Sequence, residues 1–129
     1  MSESWSLESD GRFAIDRRDA GTAVVVAPQG DLDLATVGEL DGALREAGDL
    51  HELVLLDLRG VPFMDSSGLH AMIAADQRMR ELGGRLVVVH GGEQIRRLLG
   101  LTGADAQLDL VDDPAEVLAD APDSPAPAP

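Results

Sequence analysis

The run Leu53-Val54-Leu55-Leu56-Asp57-Leu58, followed by Val61-Pro62-Phe63-Met64-Asp65-Ser66-Ser67-Gly68-Leu69, decides how the rest of the chain is read. The first block is an apolar run of strand length, and its lack of polar alternation predicts a strand buried on both faces, as between helices in a parallel sheet. After the loop, Leu69, Met72, Ile73 and Met79 recur at helical spacing, and Gly83-Gly84 ends that helix near Leu82. Asp65, Ser66 and Ser67 lie between the two elements and are residue types whose short oxygen-bearing side chains cap helix starts. The loop thus places hydroxyls at the positive end of a helix, where added negative charge is favoured by roughly 0.3–1 kcal/mol. A serine held there is a candidate phosphorylation switch.

Toward the amino end, Phe13-Ala14-Ile15-Asp16-Arg17 reads as a strand, Asp19-Ala20-Gly21 as a turn, and Thr22 to Gln29 as a second strand, which together make a hairpin. Gly30-Asp31-Leu32-Asp33 breaks the sheet. Thr36 and Glu39 have capping-box spacing, and Val37, Leu40, Leu44 and Ala47 form one face of a first helix that Gly48 should stop. Toward the carboxyl end, Leu86 to Val89 is a fourth strand. Ile95, Leu98, Leu99 and Leu101 are expected to line a short helix from near Gly92 to near Gly103, Leu108 to Val111 fits a short edge strand, and Pro114 to Ala119 a marginal last helix. Asp76 falls on the apolar arc of the helix after the serines; a place at the helix edge, with an ion pair to Arg80 four residues on, would accommodate it. The expected fold is α/β, a mixed sheet of four to five strands opening with a β-hairpin and carrying three to four helices. Residues 1–12 are expected to be loose, with Trp5 and Leu7 able to pack on an edge, residues 13–120 to form the domain, and residues 121–129 to be a solvated Pro/Ala tail.

With 129 residues there is room for one domain. Only 2% of residues are aromatic, so the core must be built from Leu, Val, Ile and Ala with Met as filler. There is no cysteine, which excludes disulfides and thiol chemistry. A net charge of −14 argues against nucleic acid or an anionic membrane as partner, since both require basic patches. All ten basic residues are arginine, so any mechanism that needs a lysine is eliminated. No run is long enough to span a bilayer and no signal-peptide layout opens the chain, so a cytoplasmic location is expected.

Two families share the look of the central stretch. Val54 to Arg59 with Pro62 and Met64-Asp65 resembles the phosphoacceptor region of two-component receiver domains, in which Asp57 would be the acceptor. That comparison fails because receivers need a lysine late in the chain and two helices before the acceptor strand. Asp57 is otherwise expected to cap or brace its loop. The second resemblance covers about Phe13 to Leu118. Gly30-Asp31-Leu32-Asp33, Leu56-Asp57-Leu58, Val61 to Leu69, Leu82-Gly83-Gly84 and Ile95-Arg96-Arg97-Leu98-Leu99 resemble, in order and spacing, the STAS domain of anti-sigma factor antagonists.

That resemblance implies that Ser66 is the phosphorylated residue and that Ser67 caps the helix. It puts Asp31 and Asp33 at the same end of the sheet, and implies a partner surface of Asp31, Asp33, Asp65, Ser66, Ser67 and Gly68, with Gly68 permitting close approach. The implied partner is an anti-sigma factor with a histidine-kinase-like ATPase domain, which phosphorylates the serine; a serine phosphatase reverses the mark. The alternative is a STAS subunit of a lipid-transport or larger signalling assembly that phosphorylation does not control. His70 departs from the family pattern and is expected to be exposed on the first helical turn. The residues do not favour an enzyme. His51, His70 and His90 are scattered, no Gly-X-Ser-X-Gly or P-loop pattern occurs, and a Ser66–His70 nucleophile pair is a weaker reading than a solvated histidine. No cofactor or metal is called for.

Overall fold

Alternation in the strands fixes which side chains meet which helices. The structure, a computed structural model, describes residues 13–118. Five strands lie in sequence order, β1 (Ala14–Ala20), β2 (Ala23–Gln29), β3 (Leu53–Asp57), β4 (Arg85–Val89) and β5 (Leu110–Val111). The first pair is antiparallel and the others are parallel, giving the expected mixed sheet. Among the described residues there are five helices: α1 (Val37–Leu50), α2 (Ser66–Glu81), α3 (Glu93–Thr102), α4 (Ala104–Gln107) and α5 (Ala115–Leu118). That is one more than the sequence predicts, because Gly103, with φ of 79°, closes α3 and α4 starts at once; Leu101, in the last turn of α3, is exposed rather than on the apolar face with Ile95 and Leu99.

Val24, Val26, Val54, Leu56, Leu86 and Val88 face one side, where Leu40 and Leu44 of α1, Leu69, Met72 and Met79 of α2, and Ile95 and Leu99 of α3 close the main core. Their neighbours of opposite parity, Val25, Leu55, Val87 and Val89, pack on the other face with Val117 of α5. β3 is therefore buried on both sides, as its composition predicts, with Val54, Leu55 and Leu56 at most 1% exposed. The helices that follow β2, β3 and β4 share one face while the strands advance in one direction, as repeated crossovers of a single hand require.

Several boundaries differ from the sequence reading, each for a tertiary reason. β1 runs on to Ala20, and the turn is Gly21-Thr22 rather than Asp19-Ala20-Gly21, since Ala20 pairs with Ala23. Gly21 takes φ of 71°, the left-handed conformation a two-residue hairpin loop needs. Gly48 does not stop α1, which continues to Leu50. It is buried where a Cβ would stand 2.7 Å from Met79 Sδ, so its small size serves the packing of α1 on α2. The Thr36–Glu39 capping box does not form: Thr36 makes no side-chain bond to the helix start. Its hydroxyl instead accepts from Asp33 N–H at 3.1 Å and donates to the Asp31 carbonyl at 2.8 Å. Asp76 is 7% exposed and accepts a 2.9 Å hydrogen bond from Arg80 Nε, so the polar position on the apolar arc is satisfied. The expectations for residues 1–12 and for the tail lie outside the described residues.

Candidate partner-binding site at the start of the second helix

Two loops leave the same end of the parallel strands, one after β2 and one after β3, and backbone hydrogen bonds join them. Gly30 N–H donates to the Gly60 carbonyl at 3.0 Å, Leu32 N–H to the Phe63 carbonyl at 2.9 Å, and Asp65 N–H to the Leu32 carbonyl at 3.1 Å. Leu32 and Met64 thereby form a parallel bridge outside the sheet, and both side chains are buried. Gly30 makes this possible by turning the chain with φ of 116°. The Asp31–Asp33 segment is thus tied directly to the residues that lead into α2.

The start of α2 is capped by Asp65, not by Ser67. Asp65 is extended (φ −104°, ψ −169°), and its Oδ1 accepts from Ser67 N–H at 2.8 Å. Ser67 is inside the helix, so its hydroxyl cannot serve as the cap; the extended backbone that a cap requires is found one step before Ser66. Ser66 is the first helical residue and is exposed. Ser67 is half-buried and His70 is exposed, as expected for the latter.

Gly68 departs from expectation. It is buried, and a Cβ there would lie 2.6 Å from Met64 Cγ, 2.9 Å from Met64 Sδ and 3.3 Å from Leu32 Cβ. The missing side chain lets α2 pack onto the Leu32–Met64 bridge. It does not open a way for an outside surface.

Of the carboxylates, Asp31 is exposed and has no ion-pair partner among the described residues. Asp33 is half-buried and turned inward: its Oδ1 accepts from Ala35 N–H at 3.0 Å and from Thr36 N–H at 3.2 Å. Asp65 is half-buried as the cap. Ser66 therefore has acidic groups on both adjoining segments and a helix N-terminus beneath it. Two exposed apolar side chains on the same loops escaped the sequence reading, Leu34 at 79% and Phe63 at 48%. In sequence Leu34 continues the alternation set by Leu32; only the turn braced by Asp33 and Thr36 sends it outward.

Asp57 has a different role. It shares parity with Leu53 and Leu55 and pairs in register with Val89, so it leaves the sheet on the face away from α2. Arg59 holds it through Nε to Oδ1 at 3.0 Å, Nη2 to Oδ2 at 2.9 Å and backbone N–H to Oδ1 at 3.0 Å. Burial alone would raise its pKa, but the Arg59 hydrogen bonds and the Arg59 and Arg18 charges outweigh burial and hold it below the usual carboxylate value. Hydrogen bonding to Asp57 in turn raises the Arg59 pKa. Both Asp57 oxygens are occupied in bracing the loop. Among the described residues no group of three or more His, Asp or Glu could hold a metal, and no helix is long and apolar enough to cross a membrane.

A family model described as the STAS domain matches residues 14–117. The chain belongs to the STAS-domain family. This STAS domain is similar to an anti-sigma factor antagonist from Mycobacterium paratuberculosis, with a TM-score of 0.75 and 27% identity over 83% of this chain and 92% of that one. It is also similar to the anti-sigma factor antagonist SpoIIAA in its unphosphorylated form, with a TM-score of 0.69 and 18% identity over 81% of this chain and 93% of that one. The Bacillus cell fate determinant SpoIIAA in the phosphorylated form matches with a TM-score of 0.65 and 17% identity over 82% and 97% of the two chains. At their identity the SpoIIAA structures bear on the fold alone.

Proposed function

We propose that this STAS domain is an anti-sigma factor antagonist switched by phosphorylation of Ser66. In its neutral state it binds an anti-sigma factor carrying a histidine-kinase-like ATPase domain and so frees a sigma factor. The partner transfers the γ-phosphoryl group of ATP to Ser66 Oγ, the complex separates, and a serine phosphatase restores the hydroxyl. The surface implied is Asp31, Asp33, Asp65, Ser66 and Ser67, with Gly68 supporting it from within.

The observation that carries this reading is the exposed Ser66 at the first position of α2, directly after a loop hydrogen-bonded to the Asp31–Asp33 segment. A phosphate would bring about −1.5 to −2 charges to that position. The helix end favours it by only about 0.3–1 kcal/mol. At a separation near 4 Å, each unit repulsion from a carboxylate is worth about 1 kcal/mol in water and about 4 at an effective dielectric of 20. Repulsion grows as docking removes water from the interface, so the phosphate destabilises the complex more than it stabilises the helix. Each 1.4 kcal/mol is about tenfold in affinity.

The test is the affinity of the wild type, Ser66→Ala and Ser66→Asp for an anti-sigma ATPase encoded in the same genome. Ser66→Ala should bind like the wild type and Ser66→Asp at least tenfold more weakly. Equal affinity of all three proteins would remove the switch.

A further inference from the structure

We infer that His70 binds the phosphate carried by Ser66, and that by gaining or losing its own proton it sets how strongly that phosphate repels the partner. The inference rests on the reading of Ser66 as the phosphorylated residue, and it names the side chain that tunes the effect of the mark.

Of the three histidines, two are committed elsewhere. His51 Nδ1 faces the Ala47 carbonyl at 3.0 Å and its Nε2 faces Asp19 at 3.4 Å, while His90 Nδ1 faces the Gly91 carbonyl at 3.3 Å and its Nε2 faces Asp112. His70 is exposed and makes no hydrogen bond or ion pair with the described residues. It is the fifth residue of α2 and Ser66 is the first, so the two stand four apart on one face of the helix. Every Cα–Cβ bond in a helix tilts toward the N-terminus, which leans the imidazole over the turn that carries Ser66. Leu69, at the other neighbouring spacing, is buried and apolar, so His70 is the polar neighbour that α2 offers a group on Ser66.

The surrounding charges leave the role to His70. The chain has no lysine. In α2 and the loop before it the arginines are Arg59, Arg78 and Arg80, held by Asp57, Asp49 and Asp76. From α1, Asp41 and Arg45 pair with each other and face Ala74, Ala75 and Arg78, further along α2. From α4, Asp105 stands beside Gly100 of α3, and the strand residues beneath α2, Leu86 and Val88, are apolar. α3 carries Arg96 and Arg97, both exposed, on a separate helix. The loops at the start of α2 add carboxylates alone, Asp31, Asp33 and Asp65, of which the last two accept from backbone N–H groups. On α2 and the loops that join it, His70 is therefore the side chain that can become cationic without leaving a carboxylate.

A histidine changes charge between about pH 5 and 8, and a phosphate brings about −1.5 to −2 charges. Protonated His70 cancels one charge and leaves about −0.5 to −1, so the mark still repels the partner but less strongly. Neutral His70 leaves the phosphate uncompensated. Release by phosphorylation is thus sharpest above neutral pH and blunted in acid.

The experiment installs phosphoserine at position 66 by codon reassignment, so that no kinase is needed, in the wild type, His70→Gln and His70→Arg, with circular dichroism to establish folding. A phosphorus NMR titration should show the phosphate losing its second proton at a lower pH in the wild type than in His70→Gln, by about 0.3 pH units, and His70→Arg should lower it at least as much. The same proteins with and without the phosphate are then measured for affinity to the anti-sigma ATPase at about pH 6 and about pH 8. In acid, phosphorylation should weaken binding about two- to threefold less in the wild type than in His70→Gln. At the higher pH those two should agree, while His70→Arg shows the smaller loss at both. Identical phosphorus titrations in the wild type and His70→Gln would overturn the inference whatever the affinities are. Different titrations with the same loss of affinity in acid would overturn the tuning. If the titrations differ while phosphorylated and unmodified proteins bind alike, the switch at Ser66 falls and the pair of His70 with the phosphate stands.

Discussion

Replacing Gly68 by alanine tests the packing that presents Ser66. The added Cβ would stand 2.6 and 2.9 Å from Met64 Cγ and Sδ and 3.3 Å from Leu32 Cβ. Met64 is 5% exposed and Leu32 fully buried, so the methionine has to shift within a filled core. Overpacking of this kind costs roughly 1–3 kcal/mol. Removing a helical glycine returns up to about 1 kcal/mol, and less in a first turn. The balance is a loss of about 1 kcal/mol or somewhat more. Gly42 is the control: it lies in α1, and a Cβ there would meet nothing within 4 Å, so Gly42→Ala should gain the helical term alone. Urea unfolding followed by far-ultraviolet circular dichroism reads both variants, and a loss for Gly68→Ala beside a gain for Gly42→Ala is the expected pair. A Gly68→Ala protein as stable as the wild type, with Gly42→Ala more stable, would refute the contact on which the reasoning depends.

The remaining predictions concern the carboxylates. Asp65→Ala should lower stability by about 1 kcal/mol through loss of the α2 cap, while Asp65→Asn, which can still accept from Ser67 N–H, should lose little. Denaturant midpoints at neutral pH decide this, and equal losses would show that the charge matters rather than the cap. Asp57 has a folded-state pKa below its unfolded value, so its contribution is present above about pH 4 and is lost as pH falls through the depressed folded value. Asp57→Asn should therefore be less stable than the wild type at neutral pH, and the gap should close in acid; a gap independent of pH would contradict the Asp57–Arg59 pairing. Asp76→Ala leaves Arg80 without its carboxylate but introduces no buried unpaired charge, since Arg80 is exposed. A loss of less than about 2 kcal/mol is expected by thermal melting, and a larger one would mean that Asp76 holds more than this partner.

What was legible in the sequence, and what was not, follows from the range of the interactions. The apolar run of β3 has no other use than burial on both faces, and the 3.6-residue recurrence after it could only be a helix, so the βαβ core could be read directly. The spacing of Asp76 and Arg80 offers their pair, which is local, but not the burial of Asp76, which depends on how α2 packs. Gly48 looks like a helix stop in sequence because its neighbour in space, Met79, is more than thirty residues away in the chain. Thr36 looks like a cap in sequence because its competing partners, the Asp31 carbonyl and Asp33 N–H, are presented only once the loop has folded. At the site, spacing distinguished Asp65, Ser66 and Ser67 as a group but not which of them caps, since all three are good capping residues. Leu34 and Phe63 could not be found by pattern, because apolar residues beside buried ones look like core until the Leu32–Met64 bridge shows which of them point inward.

The most direct test of the central claim is to map the phosphate. The protein is incubated with an anti-sigma ATPase from the same genome and ATP, and intact mass is followed by fragment mass spectrometry. The expected result is the addition of one phosphate, on Ser66, abolished by Ser66→Ala. A phosphate on Ser67 or on any other residue, with Ser66 unmodified, would contradict it.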